Sequence, residues 1–181
     1  MASTFSKEIQ NRNFLSPVGF KFSLAKDPKV AFYCNSARIP EINLSLNQQP
    51  SYLKDIEIPG GKVQYGDLLL RFLVDENLEN YMSIHNWITG LGFPESTKQY
   101  KDFITDEDGI LDPLKAFSDG SLSILDSNFN TNIVVKFKDL FPISLSSLDF
   151  DSTLTDVQYF TADVTFKYTV YNILNSNNQL L

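Results

Sequence analysis

From residue 20 onward, apolar and polar positions alternate along much of the chain, the period of half-buried β-strands. Phe20, Phe22 and Leu24 alternate, and so do Val30, Phe32 and Cys34. Between them "AKDPK" holds Asp27 and Pro28, a side chain that bonds its own backbone and a fixed φ, so 20–34 is predicted as a hairpin. "EINLSLN" resumes the alternation with Ile42, Leu44 and Leu46, and the polar "NQQPS" follows. "IEIPGGKVQYGDLLLRFLVD" contains two strand-like runs separated by Gly66-Asp67, with a turn or bulge expected at Gly60-Gly61. In the second run Leu68, Leu70, Phe72 and Val74 face one way, and Leu69, Arg71, Leu73 and Asp75 the other.

The period changes over 76–89. Leu78, Tyr81, Met82, His85 and Ile88 form a helical stripe, widened by Ile84 and Trp87. Asp75 or Asn77 would cap its start and Gly90 would end it, making this the one expected helix. Tyr81, His85, Trp87 and Ile88 are its expected packing residues. Residues 91–120 read as a long, mostly irregular insertion, a kind of segment that is often functional. "SLSILD" and "NIVVKFKDL" then form a hairpin around "SNFNT", and "FPISLSSLDF" is a weaker strand. A long final strand is predicted over 157–172. Phe160, Ala162, Val164, Phe166, Tyr168 and Val170 form its apolar side, and Thr161, Asp163, Thr165, Lys167 and Thr169 its wet side.

Seven to nine strands with short connections imply antiparallel pairing. The expected fold is mainly β, an antiparallel β-barrel or sandwich with one flanking α-helix. It would form a single domain over 1–181, with 1–19 as an N-terminal arm anchored by Phe5, Phe14 and Leu15. Several strands, "LLLRFLV", "IVVKF" and "VTFKYTVY", are apolar on both faces. An antiparallel sheet in a monomer usually keeps one face wet, so these strands point to surface buried between subunits. A closed sandwich covered by a loop would also absorb them.

Composition narrows the chemistry. The net charge of −7 gives no counterion-release affinity for a phosphate backbone, although it suits a wall that DNA passes without adhering. One cysteine, Cys34, rules out an intrachain disulfide framework and reads as a buried, inert thiol. His85 is the only histidine, so no imidazole pair exists for a metal, and it reads as a core or interface residue. Asp106, Glu107, Asp108 and Asp112 resemble part of a calcium loop, but Ile104 occupies the first ligand position, and a solvated acidic loop is the simpler reading. "IPGGK" lacks P-loop spacing, and no serine sits in a nucleophile elbow. No enzyme activity, cofactor or metal is expected. The N-terminus lacks the apolar run of a signal peptide, and no stretch reaches the roughly 18 apolar residues of a membrane span.

Three stretches carry a family likeness: "NFLSPVGFKFSLAKDPKVAFYCNSARIPEI", "IPGGKVQYGDLLLRFLVDENLENYMSIHNWITGLGFP" and "DLFPISLSSLDFDSTLTDVQYFTADVTFKYTVYNI". Together, over 13–173, they resemble the tail tube proteins of contractile-tailed bacteriophages of the T4-like and marine kind. The resemblance implies a structural subunit of a virion, assembled in the host cytoplasm. It implies hexameric rings stacked into a hollow tube, with a tail sheath protein, a baseplate tube initiator and a tail terminator as partners. Genomic DNA would pass through the lumen without sequence-specific binding. It further implies that Thr161, Asp163, Thr165, Lys167 and Thr169 lie on a channel-facing or inter-subunit strand. Other readings remain open: a baseplate initiator or tail terminator of the same fold, a monomeric β-sandwich carbohydrate-binding module using Tyr100 and Phe103, or an enzyme with a carboxylate pair.

Overall fold

The computed structural model describes residues 15–26, 34–105, 111–153, 159–176 and 178–180. Nine strands are described: β1 (Phe20–Leu24), β2 (Cys34–Ala37), β3 (Ile42–Gln49), β4 (Ile56–Tyr65), β5 (Leu68–Leu73), β6 (Ser118–Leu125), β7 (Thr131–Leu145), β8 (Thr161–Lys167) and β9 (Val170–Asn175). Helices α1 (Glu79–Gly92) and α2 (Thr97–Ile104) and a 3-10 turn at Pro113–Ala116 lie between β5 and β6. Seven strands form the body in the order β1-β6-β7-β8-β5-β2, with β9 also paired to β7, while β3 and β4 pair only with each other. All the strand pairs are antiparallel.

The body folds as two layers that share β7. The alternation in β1, β6 and the first half of β7 turns Phe22, Leu24, Leu122, Ile124, Val135 and Phe137 inward. From the other layer, Leu68, Leu70, Phe72, Ala162, Val164 and Phe166 meet them. Ile84 and Trp87 of α1 belong to the same core. A buried side chain of this size contributes about 1.5–3 kcal/mol over its exposed state. Phe22 of β1 and Cys34 of β2 approach across a small apolar space, so the sheet is strongly rolled. No described hydrogen bonds join β1 to β2, and the body is a sandwich, not the closed barrel that was one of the two expectations.

One strand turns the corner for the whole body. Asp139 of β7 has a left-handed φ of 56°. Opposite it, β6 advances two residues, from Ser118 to Gly120, while β7 moves three, from Leu140 to Phe137, which is a β-bulge. The inward positions are therefore odd before Asp139 (Val135, Phe137) and even after it (Leu140, Pro142). β9 pairs with β7 on one side of this bend and β8 on the other, with Lys138 facing Val170 and Phe141 facing Lys167. The expected long strand over 157–172 is thus two strands aligned along β7 and broken at Tyr168-Thr169. The Thr169 N–H donates to the Lys138 carbonyl across that break at 3.0 Å.

Other expectations also shift. β1 does not form a hairpin with β2: it pairs with β6, and β2 with β5. The turn at Asp27 and Pro28, with Val30 and Phe32, lies outside the described residues, as do Phe5 and Phe14. The 91–120 segment carries α2, with Ser96 as N-cap accepting from the Lys98 N–H, then the 3-10 turn and the start of β6. The helical flank therefore has two helices. α1 begins three residues later than the expected stretch and passes through Gly90. It stops at Phe93, whose left-handed backbone donates to the Thr89 carbonyl. Gly90 serves packing, since a Cβ there would lie 2.7 Å from the Phe103 ring. The hairpin around "SNFNT" and the strand break at Gly66-Asp67 are as expected.

Asp139→Val places a β-branched residue at a left-handed position that costs L-residues about 1–2 kcal/mol. Chemical denaturation is expected to show a loss of at least that size for Asp139→Val and none for Asp139→Gly.

Candidate functional site

The first surface is the β3–β4 ribbon. Eight residues of β3 extend about 26 Å at roughly 3.3 Å per residue. Opposed residues of an antiparallel pair lie on one face. Ile42 faces Tyr65, Leu44 faces Val63 and Leu46 faces Pro59, so one side is apolar. Asn43 facing Gln64 marks the polar side, which turns apolar near the tip where Ile58 and Ile56 lie. Ile42, Leu44 and Leu46 are 58, 51 and 64 % exposed, and Tyr52 and Leu53 at the tip are almost wholly so. A two-stranded ribbon in water is marginal by itself, and an uncovered apolar face of this kind marks an interaction surface. Gly60 permits the expected bulge: a Cβ there would stand 2.5 Å from the Ser45 carbonyl oxygen. The strands shift register there, and the Lys62 N–H donates to Ser45 Oγ at 3.3 Å.

The ribbon is bolted to the body at its base. The Tyr168 hydroxyl donates to the Gly66 carbonyl (2.9 Å) and the Tyr171 hydroxyl to the Pro40 carbonyl (3.4 Å). The ring of Tyr65 lies 6.1 Å from that of Tyr168 and 5.4 Å from that of Tyr171. Burial, with Tyr171, Asp67 and Tyr65 nearby, pushes the Tyr168 hydroxyl up to about 12.

The second surface is the outward face of β5 and β8. Thr161, Asp163 and Lys167 point outward, and Thr165 is half-buried on the same side. Thr169 does not belong to this row, because it stands in the break between β8 and β9. Arg71 donates two hydrogen bonds to Asp163, at 2.7 and 3.0 Å. That pair raises the guanidinium pKa and lowers that of the carboxyl. Lys167 pairs with Asp67. Each cation on this face therefore has a carboxylate beside it. Exposed pairs contribute about 0–1 kcal/mol, so their effect is to balance charge rather than to stabilise.

On α1, Trp87 is buried and donates from Nε1 to the Ala116 carbonyl (3.0 Å). Ile88 and Tyr81 pack against the core, and the Tyr81 hydroxyl donates to the Ser146 carbonyl. His85 does not pack: it is exposed, because the buried stripe runs through Asn80, Ile84, Trp87 and Gly90. Asn80, which the sequence pattern did not single out, is fully buried. Its amide donates to the Leu73 carbonyl and its Oδ1 accepts from the Asp75 N–H, so it latches the end of β5 to the start of α1. Polarity at a buried helical position is the signal that was available, and it was hidden by reading the stripe one position over.

An open groove of about 700 Å³ lies beside the 3-10 turn, lined by Lys26, Phe103, Leu114, Lys115, Phe117 and Asp119 among others. The Lys26 ammonium sits 3.9 Å from the centre of the Phe103 ring and 4.5 Å from that of Trp87, and donates to the Lys115 carbonyl. Desolvation, then repulsion by Lys115, pushes Lys26 down to about 8. Tyr100, the other aromatic considered for glycan binding, leans on Phe93 instead of lying open. Cys34 is half-buried, and burial raises its thiol pKa. Asp106, Glu107 and Asp108 lie outside the described residues; among those described, no group of three or more His, Cys, Asp or Glu is placed to hold a metal ion.

The chain is thus a two-layer β-sandwich with a helical flank and a two-stranded ribbon outside the main sheet. The family model for phage tail tube proteins matches residues 2–174, and the chain belongs to that family. Comparison with curated protein sequences finds no match. Among solved structures, the fold resembles the tube-terminating cap of the anti-feeding prophage, with a TM-score of 0.65 and 17 % identity over 97 % of this chain and 100 % of that one. It also resembles a chain in the PVC sheath–tube complex of an extracellular contractile injection system in the extended state (0.58, 19 %, 96 % and 99 %). A chain of the anti-feeding prophage baseplate is similar as well (0.57, 13 %, 86 % and 91 %).

Lys26 gives a pH signature. Below pH 8 folded and unfolded chains both hold its proton; between 8 and the usual 10.5 the unfolded chain binds more, so stability rises with pH. Relative to Lys26→Met, the wild-type chain is expected to gain thermal stability from pH 8 to 10.5, and parallel melting curves would contradict this.

Proposed function

We propose that the chain is the repeating subunit of the tail tube of a contractile-tailed phage. Six copies close into a ring, rings stack into a hollow tube, and the lumen conducts the genome when the surrounding sheath contracts. The tail sheath protein, a baseplate tube initiator and a tail terminator are its partners, and assembly takes place in the host cytoplasm. The narrower kinship with T4-like and marine phages is part of this proposal and rests on the order of the three sequence stretches. The observation that carries the reading is the β3–β4 ribbon, whose apolar side has no cover among the described residues. A neighbouring copy supplies that cover, and each half-exposed Ile or Leu buried there contributes on the order of 1 kcal/mol. Repeated around a ring, that burial gives a stiff assembly. β1 and β2, at the two ends of the strand order, supply edges through which sheets of neighbouring copies join.

The outward face of β5 and β8 supports the channel part of the proposal. A wall on which Thr161 and Thr165 stand opposite Leu73 and Leu69, with Arg71 and Lys167 each set against a carboxylate, offers DNA no uncompensated cation to grip. Likeness of fold to a tube-terminating cap favours one second reading, a terminator that closes the tube instead of building it.

Electron microscopy of the purified chain over a concentration series separates these readings. Long hollow tubes are expected for a repeating subunit, and single rings for a terminator. Leu44→Asp with Leu46→Asp is expected to abolish assembly while the far-ultraviolet circular dichroism and melting temperature stay close to wild type. A chain that stays monomeric with sheath and baseplate partners present would contradict the proposal.

A further inference from the structure

The ribbon meets the body at a small aromatic cluster, and the geometry of that joint goes beyond holding it on. The ribbon's two legs enter through Pro40-Glu41 and Gly66-Asp67, and the legs are tied to each other by the Gly66 N–H donating to the Glu41 carbonyl (2.9 Å). Each leg then presents one carbonyl to one tyrosine hydroxyl, Gly66 to Tyr168 and Pro40 to Tyr171. Tyr168 stands in the break between β8 and β9 and Tyr171 is the second residue of β9, so both lie beside the bend of β7. Their rings rest on Phe137, at 5.2 and 5.8 Å, and Phe137 is itself fully buried. Tyr65, the last residue of β4, completes the cluster from the ribbon side. Asp67, just past the second leg, pairs with Lys167, just before Tyr168. Two hydroxyls on two separate legs resist rotation of the ribbon as well as its departure, because tilting toward one hydroxyl lengthens the bond to the other.

We propose that Tyr168 and Tyr171 are positioning residues that fix the angle of the β3–β4 ribbon to the sandwich, and that this fixed angle is what lets one copy engage the next in register. The assembly half of this inference rests on the tube reading above; the clamp itself does not. Without the clamp, the ribbon samples a cone of directions, and each intersubunit contact must first restrict it, which weakens association without removing any contacting group. The rings of the cluster supply the packing and the hydroxyls supply the direction, so Tyr→Phe separates the two contributions.

The test is a distance measurement in the full chain at a concentration where it is monomeric. Spin labels at Asn47→Cys on the ribbon and Lys21→Cys on β1, in a Cys34→Ala background, are compared with and without Tyr168→Phe and Tyr171→Phe. The expected result is one narrow distance with both tyrosines and loss of that single distance in the double variant, with little change in melting temperature. Unlabelled Tyr168→Phe/Tyr171→Phe chain is expected to form fewer and shorter tubes. If the double variant does not fold, Tyr171→Phe alone, which removes only the longer bond, provides the same comparison. An equally narrow distance in the variant overturns the clamp. A broadened distance with unimpaired tubes overturns its role in assembly. Failure of the wild-type chain to form tubes with its partners present counts against the tube reading, and the distance measurement still judges the clamp.

Discussion

Everything in this molecule hangs on the pairing of β7 with the β8–β9 run, and on the fact that both partners bend at the same place. A fifteen-residue strand cannot keep one face inward around a corner unless its parity changes. Asp139 makes that change in β7, and the break at Tyr168-Thr169 makes it in the partner. The bend lets one strand serve both layers, so Phe137 on one side and Phe166 on the other belong to a single core. It also brings the part-buried Tyr168 and Tyr171 to the foot of the ribbon, so the corner that closes the core also holds the ribbon's base.

The body and the ribbon obey opposite rules. In the body, strands bury one side and offer water the other. In the ribbon, neither strand pairs with a third among the described residues, and most of its apolar side is exposed. A monomer gains nothing from such an element, since the order it demands is not offset by burial. A subunit does gain, because the same residues become interior once a neighbour lies on them. The charges of Arg71, Asp163, Lys167 and Asp67 fit this division, since on that sheet face each cation is balanced by a carboxylate.

Where alternation was clean, the chain was readable: β1, β5, β6 and β8 lie where Phe22, Leu70, Leu122 and Val164 placed them. Reading failed where long-range pairing or solvent exposure set the rules. The polar "NQQ" forms the end of β3 because a two-stranded ribbon requires no apolar residue at each second position. Pro142 did not end β7, because the pairing with β6 stops at Leu140 and leaves one side of β7 open there, next to a register shift against β8. α2 was too short for its Tyr100, Phe103 and Ile104 spacing to stand out as a period. Of the candidate wet face, Thr161, Asp163, Thr165 and Lys167 share one side, while Thr169 fell out because nothing local announces the break before it. The salt bridges and the tyrosine hydroxyls join residues 65 to 131 positions apart, and no local pattern encodes such pairings.

The central claim is that the ribbon's uncovered apolar side is completed by another copy of the chain. A cryo-electron microscopy structure of the assembled protein, at a resolution that shows side chains, tests it most directly. The account predicts a six-fold ring in which Ile42, Leu44, Leu46 and Val63 are buried against a neighbouring subunit. An assembly in which those four side chains still face solvent would contradict it.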